Sequence, residues 1–253
     1  MDYIIKSEKQ IPKKLGKEPL IEAVCELRFK SDKDSISDLL PGLLFQNLGE
    51  RFPKVEKLPA ANVPSVILKN DPNFYYVPTI RLIGTEPCSI MLGEHVFSFS
   101  STRPYMGWDR FLATVIELLE ILKRTALITR PERISLKYID ILEKKEGFTL
   151  DALELNLHIG GNRITATPVQ LRTELEMGEF NNIIQIASPA QAKLNTGQQF
   201  DGILIDIDTL SKTIPSDFWS DQKDFLDRAH TIGKSMFFNL LKLETINMLE
   251  PEY

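Results

Sequence analysis

The chain has 253 residues, 43% of them hydrophobic and 26% charged, which is enough apolar material for the core of a globular protein and too much for a disordered one. Its formal net charge of -5 argues against a nucleic-acid binder, because neutralising phosphates takes a basic surface. No apolar run approaches the roughly 18 residues of a membrane span, and the opening MDYIIKSEKQIPKK lacks the apolar core of a signal peptide, so a cytoplasmic protein without membrane contact is expected.

Residues 1–18 are charged and interrupted by Pro12 and Gly16, the composition of a mobile arm. From Ile21 the pattern alternates: Ile21, Ala23, Cys25, Leu27 and Phe29 share one face, and Glu22, Val24, Glu26 and Arg28 the other, as in a half-buried strand. Residues 35–51 change to a helical period. Ser35 or Ser37 is the expected cap, and Pro41 and Gly42 are expected to kink or split the helix. Strands are expected at 65–69, 79–83, 87–92 and 95–100, with a hairpin turn at 93–95. A long helix then covers about 107–127, its stripe formed by Trp108, Phe111, Leu112, Val115, Leu119, Leu122 and Ala126.

After Pro131 the order restarts. Residues 133–142 read as a strand, 149–157 as a short helix, and 169–175 and 182–187 as strands joined through Gly178. Residues 188–201 read as a loop, 202–210 as the last strand, and about 218–249 as a second long helix, again opening at a tryptophan, Trp219. The expected fold is therefore α+β: β-α-β(3-4)-α halves at 19–130 and 131–253, duplicated and sharing one curved, mainly antiparallel sheet with two long helices on one face.

The blocks PLIEAVCELRF, YMGWDRF, RISLKYIDIL, LRTEL, GILIDIDTL and LDRAHTIGKSMFF with the closing PEY resemble a sporadically distributed family of uncharacterised prokaryotic proteins of similar length. The resemblance covers nearly everything from Pro19 onward and brings no catalytic residues with it. A patchy distribution suits an accessory of a mobile-element or defence system. The repeated order is also similar in topology to the TATA-binding-protein-like and helix-grip folds, which implies nothing about activity.

Asp206 and Asp208, two apart on a strand, project their carboxylates on one side about 7 Å apart, where Mg²⁺ or Mn²⁺ would fit with Glu174 as a third acid. The same alternation of acids also describes a solvated sheet face. Arg133, Lys137, Arg172 and Glu174 occupy polar strand positions and form either cross-strand ion pairs or a binding platform. His230, with Asp227 and Lys234 at helical spacings, is the candidate general base, set against a hydrogen-bonded structural histidine; His95 and His158 carry less signal. Trp108 and Trp219 are expected as core anchors rather than stacking platforms. Cys25 and Cys88 lack metal-ligand spacing and read as buried thiols.

No phosphate-binding loop, dinucleotide fingerprint, zinc helix or nucleophile elbow is present in the sequence. The reading is a binding protein rather than an enzyme, without a cofactor, whose partner is another protein or a second copy. A metal-dependent enzyme built on Asp206 and Asp208, and a nucleic-acid saddle, are the alternatives.

Overall fold

The structure is a computed structural model and describes residues 9–33, 35–164, 168–194 and 196–253. It is an α+β protein with a large, mainly antiparallel sheet. The strands are β1 (Lys14–Leu15), β2 (Leu20–Lys30), β3 (Lys54–Lys57), β4 (Ile80–Ile83), β5 (Cys88–Leu92), β6 (Val96–Thr102), β7 (Arg130–Glu143), β8 (His158–Ile159), β9 (Asn162–Arg163), β10 (Val169–Met177), β11 (Phe180–Lys193), β12 (Gln199–Ser211) and β13 (Pro251–Glu252). The helices are α1 (Ile36–Leu48), α2 (Ser65–Asn70), α3 (Trp108–Arg124), α4 (Phe218–Leu240) and α5 (Leu243–Met248). Nine strands form one sheet in the order β10-β11-β12-β7-β2-β6-β5-β4-β3. Outward from β2 the neighbours are β6, β5 and β4; outward from β7 they are β12, β11 and β10.

The chain divides into two compact units. One takes Met1–Glu22, Lys137–Leu210 and Arg228–Tyr253, and the other takes Ala23–Leu136 and Ser211–Asp227. These are not the sequence-order halves at 19–130 and 131–253, because β7 continues from one unit into the other.

In the unit of Ala23–Leu136, the alternation of β2 holds as read, with Ala23, Cys25, Leu27 and Phe29 buried. Phe99 from β6 meets Phe111 from α3 at 5.3 Å between ring centres. Helix α1 runs through Pro41 without splitting. Its start is capped from a distance: the Glu94 carboxylate accepts from Ser35 N (2.9 Å), Ser37 N (3.1 Å) and Ser37 Oγ (3.0 Å). A carboxylate at a helix N-terminus satisfies its free N–H groups as a capping serine would. The strand expected at 65–69 is instead α2, begun by Pro64, whose fixed φ suits a helix start. The exposed Lys54–Lys57 strand escaped the sequence reading because it alternates nothing apolar.

In the other unit the main core joins Leu142, Ile203, Ile205 and Ile207 of the sheet to Met236, Phe237 and Phe238 of α4. Gly233 lets α4 approach the sheet: a Cβ there would lie 3.2 Å from Thr209 Oγ1 and 3.7 Å from the Tyr138 ring. The second long helix stops at Leu240 rather than near Leu249. Its last turn is intercepted by the segment after β7, where Glu154 N donates to Leu240 O (2.8 Å), and Lys242 N (3.0 Å) and Thr245 Oγ1 (2.7 Å) both donate to Ala152 O. That same segment forms a short 3-10 turn, Leu150–Ala152, where a helix over 149–157 was expected. The loop expected at 188–201 shrinks because β11 extends to Lys193 and β12 begins at Gln199.

The arm expected at 1–18 is docked over its described part, from Lys9 onward. Lys14–Leu15 pairs antiparallel with Pro251–Glu252, Lys9 Nζ donates to Leu241 O (2.7 Å), and Ile11 and Leu15 pack on the core. Partial burial of these two apolar side chains is what the charged composition concealed.

Candidate functional site

The charged positions singled out in the sequence lie on the strands, and the structure groups them in two places. In the unit of Lys137–Leu210, Lys137 on β7 sits between the aspartates of β12, its Nζ 3.6 Å from Asp206 Oδ2 and 3.5 Å from Asp208 Oδ2. Gln185 Nε2 from β11 adds a hydrogen bond to Asp206 Oδ2 at 3.3 Å. The cation between the two carboxylates is thus an ammonium of the chain itself. Burial alone would lower the Lys137 pKa, but Asp208 and Asp206 together raise it. Asp206 is raised, first by burial, against the opposing pull of Lys137. The Oδ1 atoms of both aspartates are buried with no hydrogen-bond partner among the described residues.

Glu174 does not join them. It is bound on its own strand by Arg172 at 2.6 Å and receives Asn181 Nδ2 at 3.2 Å, so the Arg172 and Glu174 pair is intrastrand rather than cross-strand. Among the described residues no group of three or more His, Cys, Asp or Glu is placed to hold a metal ion.

In the unit of Ala23–Leu136, Arg133 of β7 donates to Glu26 Oε1 of β2 at 3.2 Å, and Arg28 Nε donates to the same oxygen at 2.7 Å. The Arg28 guanidinium lies 4.4 Å over the Tyr76 ring, and Tyr76 OH donates to Glu132 at 2.8 Å. Burial first, and then Glu132, push the Tyr76 hydroxyl up to about 12. The network ties arginines to carboxylates with little exposed charge, the arrangement of a structural brace.

His230 on α4 shares a hydrogen bond of 2.7 Å between its Nδ1 and the Tyr138 hydroxyl. Asp227 accepts from Trp108 Nε1 at 2.8 Å, and Lys234 Nζ reaches Lys13 O at 3.4 Å. The histidine thereby fixes a helix to a strand. His95 stacks on Tyr75 at 3.9 Å, and the exposed His158 lies in a hairpin turned by Gly160 and Gly161 at φ 55 and 81. Cys25 is buried and Cys88 half-buried, neither in a disulfide.

Asp140 on β7 was not singled out by the sequence, because its position in IDIL looks like any alternating strand acid. It is 5% exposed. Burial, followed by Glu18 and Asp206, raises its carboxyl well above the usual carboxylate range. A raised carboxyl makes the folded state hold the proton longer than the unfolded one, so its contribution to stability is present at low pH and declines as pH rises through the folded pKa. Asp140→Asn removes that decline. The gap in urea midpoint between Asp140→Asn and the natural protein is therefore expected to widen in favour of Asn from pH 4 to pH 8; parallel curves would contradict the assignment.

Helix α1 carries apolar side chains on more than one face. Ile36, Leu40, Pro41, Leu44 and Leu48 face the core, as expected of an amphipathic helix. Beside the exposed Asp38, Gln46 and Asn47, its outer side carries apolar groups as well: Leu39, Leu43 and Phe45 are 50%, 39% and 45% exposed. A Cβ at Gly42, among them, would meet nothing within 4 Å.

No family model and no curated protein matches the chain. No described helix is long and apolar enough to cross a membrane.

Proposed function

We propose that the protein is a non-enzymatic interaction module that docks a partner protein on the outer face of α1. The observation that carries this reading is the exposure of Leu39, Leu43 and Phe45 beside the open backbone at Gly42. Exposed apolar side chains are stabilised when a partner removes them from water, by about 25 cal/mol per Å² of apolar area covered. The flat Gly42 position admits a close approach by the partner's backbone. The charged strand positions support the same reading, because the Lys137 ammonium is held between Asp206 and Asp208 as an internal ion pair rather than left to meet a substrate.

The experiment is co-purification from the native host with the natural chain and with the Leu39→Glu, Leu43→Glu double variant. Both sites are exposed, so the variant is expected to keep its thermal midpoint within about 2 °C, as surface substitutions do. Its partner is expected to be lost. Retention of the same partner by both proteins would move the interface elsewhere.

A further inference from the structure

We infer that two copies of the chain join edge to edge through β10, antiparallel and centred on Thr173, as a two-fold dimer. The strand ends the nine-stranded order, and among the described residues β11 is the one strand that pairs with it. Native sheets guard such edges with short strands, lysines, proline or a bulge. At the other end of the order, β3 has two of these guards: it is four residues long and both begins and ends with lysine. β10 has none. It runs nine residues with no Pro and no Lys, and it keeps one-to-one register with β11 from Val169 opposite Ser188 to Met177 opposite Phe180.

The hairpin fixes which backbone groups point to the open side. Met177 and Phe180 close a two-residue loop turned by Gly178 at φ 55, and the closing pair of such a loop exchanges backbone hydrogen bonds. Alternation then turns the N–H and C=O of Leu171, Thr173 and Leu175 toward β11, and those of Gln170, Arg172 and Glu174 outward, where they form a template for one more strand. Leu171 and Leu175 pack on the core yet stay partly exposed, so the apolar side of the edge is also incompletely covered.

What selects a second copy as the occupant is that the strand is complementary to itself. With the two-fold at Thr173, Arg172 stands opposite the partner's Glu174, Gln170 opposite the partner's Glu176, and Leu171 opposite the partner's Leu175. Opposite charges and apolar groups placed directly across an antiparallel pair stabilise it, and like charges there oppose it. In the single chain Arg172 already holds its own Glu174 at 2.6 Å, with both side chains about half exposed. Pairing lays that ion pair beside its inverted copy, so the four charges alternate in sign. Centring the pair on Arg172 or on Glu174 instead sets like charges face to face, and a shift of a single residue would oppose outward-bonding residues to inward-bonding ones. Because each copy uses the same edge, the association closes at two. This surface is separate from the α1 face and does not depend on it: a crosslinking group at Arg172 captures the second copy, and one at Leu43 captures the α1 partner.

The test is sedimentation of the full chain from about 1 to 100 µM. A species of twice the 28.8 kDa chain mass is expected, with nothing larger. Arg172→Glu and Glu174→Arg each set like charges across the two-fold, and each is expected to weaken the dimer at least about tenfold. Mixed in equal amounts, the two variants are expected to recover it, because each supplies the charge that the other lacks. Amide hydrogen exchange on the natural chain gives a readout that needs no variant: the Arg172 and Glu174 amides are expected to exchange more slowly in the dimer than in the single chain. A natural chain that stays single throughout, a dimer unchanged in both variants, a mixture that stays single, a species larger than two, or equal exchange of those amides in single chain and dimer would each overturn the proposal.

Discussion

Gly202→Ala is expected to lower the unfolding midpoint by about 5–10 °C, corresponding to a loss of about 2–3 kcal/mol. Gly202 lies on β12 where that strand crosses β7. A Cβ there would collide with Leu142 O, and would lie 2.9 Å from Leu142 C and 3.0 Å from Glu143 Cα. All three are backbone atoms of a strand that itself carries Leu142 into the core, so the neighbour cannot yield by a rotamer change. Gly42→Ala is the matched control. With open space around it and a helical position, alanine there is expected to stabilise by about 0.5–1 kcal/mol. Thermal unfolding of the two variants beside the natural chain checks both signs at once; equal midpoints for all three would show that the strand crossing is looser than described.

Removing residues 1–17 is expected to lower the midpoint by about 4–8 °C. The segment from Lys9 gives backbone hydrogen bonds from Lys13 N to Glu252 O (2.7 Å), from Gly16 N to Glu250 O (2.8 Å) and from Lys17 N to Leu249 O (3.0 Å). Each contributes about 1 kcal/mol net. Ile11 and Leu15 add partly buried apolar area against the core that includes Leu241 and Leu249. The exposed Lys17 and Glu250 pair, at 3.2 Å, adds little. An unchanged midpoint on truncation would return the segment to the status of a mobile arm.

Strands with one apolar face were legible from the sequence because their period of two is a direct record of burial: β2 and β10 lie where Ile21 and Val169 begin their alternations, and β12 covers the run read as a strand at 202–210. The first long helix was legible for the same reason at a period of 3.6. What was not legible depends on partners far apart in the chain. Glu94 caps α1 from 57 and 59 residues away, so the two serines ahead of the helix looked sufficient. The end of α4 is set by Ala152 and Glu154, whose backbone replaces the hydrogen bonds that a longer helix would have made. The Ser65–Asn70 helix carries Val66 and Ile67, and a short apolar run does not reveal its own period.

The candidate site divided in the same way. The shared face of Asp206 and Asp208 follows from strand geometry, but that Lys137 would stand between them, and that Glu174 would stay with Arg172, required the order of β10, β11, β12 and β7 in the sheet. The apolar positions of α1 were all visible as letters. Which of them face outward depends on the side from which the sheet approaches the helix, and the apolar letters alone do not record that.

Docking on α1 is tested most directly by a photo-crosslinking amino acid placed at Leu43 in the native host, with the same group at Arg172 on the exposed side of β10 as the reference. The expected result is one discrete protein adduct from position 43, absent from position 172, and lost from position 43 when Leu39→Glu is added. An adduct of twice the chain's mass would identify a second copy as the partner. No adduct at 43, or the same adducts at both positions, would contradict the assignment of α1 as the interaction surface.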